Sequence, residues 1–276
     1  MIPPPLPKPY PGFWQSVALF LLYVLGMLIV IVPAAVVDQI AKTAYMRNPW
    51  ILGIGTLAGS ALALWIVTRR LGVSVREIAG PMRIPGRMLG PMASAIVGQL
   101  ILTMMMLVWV LRYFPWLLPK DNLGLDKNLL GAAFAVMIAA PLSEEFLFRG
   151  IFLRGFLPRY GAARGILLGA AMFAAAHMAV AKVFGTLMLG LIFGWWYSKM
   201  GSIWPGVLGH ALNNGVPVLA AVLTKGSAAA GTSAAKSLPP FSWAEPVFVL
   251  IGIALLAQGL LTMRREFSHI PVEATP

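Results

Sequence analysis

Apolar residues do not alternate with polar ones along most of this chain; they run together. Eight runs can be drawn, at 14–37, 50–68, 90–112, 128–154, 163–181, 183–198, 203–224 and 246–263. Several approach the roughly 20 residues a helix needs to cross a bilayer. The pattern predicts an all-α protein, a polytopic transmembrane helical bundle of about eight membrane-spanning helices. The fifth and sixth runs are nearly continuous, which calls for a tight turn or interfacial kink near Lys182.

The same pattern divides the chain. Residues 1–13 form a proline-rich, polyproline-like tail. Residues 14–127 hold three N-terminal helices with their loops, and 128–224 hold four helices. Residues 225–245 read as a Gly/Ser/Ala linker, and 246–276 hold the last helix and a tail. The start, "MIPPPLPKPYPGFW", lacks the basic n-region of a signal peptide, and the run behind it is too long for an h-region. We expect that first helix to be retained. No internal repeat is evident.

Composition agrees. Hydrophobic residues make up 59% and charged residues 11%, against about 25% charged in a soluble domain. A net charge of +12 would suggest nucleic acid in a soluble protein. Here the basic residues fill short gaps between apolar runs, where they set topology, so no nucleic-acid partner is expected. Thirteen of the 21 Lys and Arg fall on the side of the N-terminus, including Arg69, Arg70, Arg83, Arg87, Arg149, Arg154, Arg159 and Arg164. Eight fall on the other side, including Lys42, Arg112, Lys120 and Lys182. The bias predicts both termini in the cytoplasm. Trp195, Trp196 and Tyr197, before Lys199, sit where an interfacial aromatic belt is expected. The absence of cysteine excludes disulfides, thiolate ligands and a cysteine nucleophile.

Polar residues inside such runs are costly, so they face a protein interior or a wet cavity and have partners. The fourth run carries Ser143, Glu144, Glu145 and Arg149. The fifth carries Phe173 and His177, and the seventh His210, Asn213 and Asn214. Glu145 and Arg149 are i and i+4 and can pair, while Glu144 is turned about 100° around the helix toward another neighbour. Phe173 and His177, and His210 and Asn214, repeat the one-turn spacing. Pro141 removes a helical hydrogen bond beside the glutamates. Gly185, Gly190, Gly194, Gly206 and Gly209 permit close helix approach.

A carboxylate, two imidazoles and a carboxamide around a wet cavity suit water activation and oxyanion binding. Glu and His can equally hold a divalent metal that acidifies the water, although no H-E-x-x-H zinc signature occurs. Each residue also has a plainer role: a structural ion pair, a packed histidine, or asparagines joining helices.

"EEFLFR" (144–149) resembles the E-E-x-x-x-R motif of the CPBP family of intramembrane proteases, which includes the type II CAAX prenyl endopeptidases and Abi-like proteins. "FAAAH" (173–177) is similar to its F-x-x-x-H motif and "HALNN" (210–214) to its H-x-x-x-N motif, in the family's order. The resemblance covers roughly 128–224. It implies a membrane endopeptidase of eight helices acting on a membrane protein or peptide, its pocket opening toward the cytosol. Glu144 would activate water with His177, His210 and Asn214 would stabilise the oxyanion, and Glu145, Arg149 and Phe173 would support them. If a divalent metal such as zinc takes part, His177, His210 and Glu144 are its candidate ligands. The inside-positive, cysteine-free, Ala- and Gly-rich chain suggests a bacterial inner membrane. Two rival readings stay open: a non-enzymatic scaffold or immunity protein, and a proton-coupled transporter.

Overall fold

The computed structural model describes residues 9–43, 48–117, 128–178, 180–223 and 241–268; most of the linker at 225–245 and the tail beyond 268 lie outside them. Those residues form nine helices and no strand. They are α1 (Phe13–Ala41), α2 (Pro49–Leu71), the short α3 (Val75–Ala79), α4 (Gly86–Tyr113) and α5 (Leu129–Tyr160). After these come α6 (Ala162–Ala176), α7 (Val183–Met200), α8 (Trp204–Leu223) and α9 (Ala244–Ser268).

A helix forms at each of the eight apolar runs. Among the described residues, six stretches are long and apolar enough to cross a membrane: α1, α2, α4, α5, Val180–Met200 and α9. Helix α6 has 15 residues, about 22 Å at 1.5 Å each, which is short of a roughly 30 Å core. It ends five residues earlier than the run suggested, because His177 caps it and Met178 turns left-handed at φ 44°. The α6–α7 connection is thus a short stretch with a 3₁₀ turn at Val180–Lys182 rather than a single kink.

Lipid-facing positions stay apolar. On α1, Leu21, Ile29 and Ile40 are exposed, which water would penalise and hydrocarbon would not. Helix contact depends instead on small residues. Gly59 of α2 lies so close to the Tyr23 carbonyl of α1 that a Cβ there would collide with it. Gly98, Gly252 and Gly259 bring α4 and α9 together in the same way, and Ser94 Oγ donates to the Leu255 carbonyl at 2.9 Å.

The helix ends gather at two levels. At one, which we call the arginine end, Arg159 Nη1 donates to the Pro9 carbonyl (3.2 Å) and Phe13 N to Tyr160 OH (3.2 Å). Arg154 Nη1 donates there to Glu77 O (3.1 Å), and Arg87 pairs with Glu266 (2.8 Å). The beginning of α1 and the last turn of α9 both lie at this end. At the far end, Trp50 stacks on Phe134, and Arg112 and Trp109 hold Glu245 at 2.6 Å each. The expected aromatic belt at 195–197 is only partly one: Trp196 and Tyr197 are buried in the core, and Trp195 packs edge-on against Phe267.

Candidate active site

Helix α5 is not a regular helix. Its α-helical turns are interrupted by π-helical segments at Phe134–Ala139 and Phe146–Leu153, on either side of Ala140–Glu145. The first segment changes what its carbonyls can bond. Ala140 N–H donates five residues back, to Ala135 O. The next partner in that register, for Val136 O, would be residue 141, and proline has no N–H. The carbonyl left over accepts from Asn214 Nδ2 of α8 at 2.8 Å. Pro141 therefore acts less by bending the helix than by freeing an acceptor that anchors Asn214. Asn213 Nδ2 donates to Asn214 Oδ1 (3.2 Å), which fixes the amide further.

Glu145 is fully buried. Its Oε1 accepts from Arg149 Nη1 at 2.8 Å and lies 3.3 Å from His210 Nδ1. Arg149 lies between the rings of Phe173 and Phe193, its guanidinium carbon 4.6 and 5.3 Å from their centroids. Its Nη2 donates to the Leu189 and Gly190 carbonyls at 3.5 and 3.4 Å. Gly206 makes room for the carboxylate, since any Cβ there would run into Glu145 Oε2. The sequence read that glycine only as permitting helix approach.

Glu144 faces the other way. Its Oε2 lies 3.9 Å from His177 Nε2 and 3.8 Å from His210 Nε2, buried and without a hydrogen-bond partner. Such separations are too long for a direct hydrogen bond and suit a bridging water. Both histidines have their other nitrogen engaged. His177 Nδ1 donates to the Phe173 carbonyl at 2.8 Å. That carbonyl is available because α6 closes tightly: His177 N bonds Ala174 O instead of Phe173 O. The F-x-x-x-H spacing thus sets the ring's tautomer, with Nδ1 protonated and Nε2 turned to Glu144. His210 Nδ1 does the same toward Glu145.

These side chains lie at the closed end of a cavity of about 380 Å³, lined by α4, α5, α6, α7, α8 and the α6–α7 connection. Glu144, Phe173, His177, His210 and Asn214 all reach it; Glu145 and Arg149 lie behind them. Gln99, Thr103, Thr186 and Lys182 also line it. Gln99 was the legible miss: a buried amide in an apolar run, one turn from Thr103, to which its Nε2 donates at 2.7 Å.

Leu107, Leu129, Lys182 and Val218, in the outer lining, belong to helix ends at the far end. The cavity therefore opens away from the arginine end, where α1 begins and α9 closes. Cytoplasmic termini and a pocket opening toward the cytosol, both expected from the sequence, do not hold together in this fold.

Among the described residues, no group of three or more His, Asp or Glu side chains is placed to hold a metal ion. Ligands 2.0–2.1 Å from a tetrahedral zinc sit roughly 3.3 Å apart, closer than the 3.8 and 3.9 Å from Glu144 to the two imidazoles. The set as it stands is wider than a zinc centre.

Residues 126–216 match the family model of the type II CAAX prenyl endopeptidases, Rce1-like. Over that stretch, about a third of the chain, which holds all three motifs, the chain is similar to this family. No curated protein and no solved structure matches the chain. It is thus an integral membrane protein with a CAAX-protease-like domain.

Proposed function

We propose that the protein is an intramembrane endopeptidase hydrolysing a peptide bond of a membrane-associated protein or peptide. The observation that carries this reading is the unpartnered Glu144 Oε2, held at nearly equal distance from two imidazole nitrogens at the head of a cavity. Glu145 also has a bare Oε2, but its Oε1 carries the Arg149 guanidinium, whereas Glu144 has no cation on it and faces two imidazoles across a cavity.

A water between Glu144 Oε2 and His177 Nε2 gives up its proton to Glu144 as its oxygen attacks the scissile carbonyl. His177 Nε2, an acceptor in this tautomer, holds and orients that water. His210 keeps Nδ1–H on Glu145, so its Nε2 donates to the developing oxyanion only in the imidazolium form. Asn214 spends one N–H on Val136 O and has a second for the same oxyanion. The proton on Glu144 then passes to the leaving amine. The Glu145–Arg149 pair positions His210 and neutralises the second carboxylate. No step passes through a metal.

The test compares peptide termini by mass spectrometry in cells carrying wild-type or Glu144→Gln protein at matched levels. New termini seen only with wild type support the endopeptidase. Identical profiles under several growth conditions would overturn it in favour of a scaffold, which tolerates that substitution.

A further inference from the structure

We infer that this cavity takes its substrate from the non-cytoplasmic side of the membrane, so that the chain cleaved is an exported or membrane-anchored polypeptide presenting an apolar segment there. The inference rests on the endopeptidase reading of the same site and adds where the substrate comes from.

The arginine end is closed beneath the site. Helix α3 folds inward there, with Ile78 and Ala79 buried, and Ile203 N–H donates to the Ala79 carbonyl at 2.9 Å. Ser202 Oγ donates to Pro81 O at 2.7 Å, and Gly80, at φ 70°, sits so close to Gly201 that a Cβ would strike its carbonyl. The far end is where lining and surface meet, with Lys182 and Leu129 both exposed. The short α6 ends at His177 before reaching that face, which leaves the catalytic groups beneath an opening.

Charge says which end faces the cytoplasm. Arg149 is buried against Glu145 and reports no topology; without it, among the described residues, eleven Lys and Arg flank the arginine end and three the far end. The described residues of the matched domain repeat the contrast. Arg154, Arg159, Arg164 and Lys199 lie at the arginine end, and Lys182 at the other between α6 and α7. Positive residues in short connections stay cytoplasmic, so the opening faces outward.

The walls fit such a substrate. Leu100, Met104, Leu107, Val136 and Val218 make them apolar, and Lys182 is the one Lys or Arg among the described lining residues. An apolar segment with a neutral or acidic flank suits that rim, and outward flanks of membrane segments are poor in Lys and Arg.

The chain has no cysteine, so single cysteines report accessibility against a silent background. Thr43→Cys and Lys182→Cys mark the far end, and Arg83→Cys marks the arginine end; all three positions are exposed. In spheroplasts, a membrane-impermeant maleimide is expected to label Thr43→Cys and Lys182→Cys at once, and Arg83→Cys only after permeabilisation. The reverse pattern overturns the inference whether or not the protein is a protease, because labelling requires no catalysis. Glu144-dependent termini within exported segments support it, whereas such termini within cytoplasmic segments overturn it and leave the endopeptidase standing. The expected labelling without any Glu144-dependent termini sinks the endopeptidase reading and the substrate with it.

Discussion

Arg149→Ala tests the division of labour between the two glutamates. The guanidinium is buried, with 3% of its side chain exposed, and its partner Glu145 is at 0%. Removing it leaves a carboxylate in the core with no cationic partner and only the His210 Nδ1 beside it. Breaking a buried pair from one side costs about 3–5 kcal/mol, and the lost contacts with Phe173 and Phe193 add about 0.5–2 kcal/mol. Native proteins hold only about 5–15 kcal/mol in total, so a large share of the stability goes. The assay is thermal unfolding in detergent, followed by tryptophan fluorescence, with size-exclusion profiles for folded yield. Arg149→Ala is expected to melt well below wild type and to give a poor folded fraction. The decisive comparison is Glu145→Gln with Arg149→Met in one chain, which removes both charges at similar volume. That double variant is expected to recover most of the loss, because an uncompensated charge, not missing bulk, is the cause. A double variant no more stable than Arg149→Ala would refute the reasoning, as would an unchanged midpoint for Arg149→Ala itself.

Other outcomes follow from the same geometry. Glu144→Gln keeps the volume of a half-buried side chain, so its melting midpoint should match wild type while cleavage falls by at least about 100-fold, the lower range for losing a general base; terminus profiling and a melt on the same preparation check both. Asn214→Ala leaves the Val136 carbonyl without its donor, which should cost about 1–3 kcal/mol as well as activity, read by unfolding and by cleavage. Gly206→Val places atoms against the Glu145 carboxylate and should lower folded yield, whereas Gly86→Val, at a position with open space around its Cβ, should not.

Much of the site was legible because its chemistry is written at one-turn spacings. Glu145 with Arg149, Phe173 with His177 and His210 with Asn214 each share a helix face, whatever the helices pack against. The opposed directions of the adjacent glutamates follow from helical geometry alone. That the apolar runs form helices was legible too, because a long apolar run in lipid must satisfy its backbone internally. Arrangement was not. Runs that are apolar nearly all round carry no stripe to say which face meets protein and which meets lipid, so the contribution of α4 to the cavity, through Gln99 and Thr103, emerged only from the fold. The widened turns of α5 depend on neighbours that can take up what Pro141 leaves unbonded, and the acceptor lies 78 residues from Asn214. The direction of the opening was decided by a short α6 and an inward α3, both set by contacts between distant segments. Local spacing named the polar side chains that meet at the cavity; only packing determined which way they face.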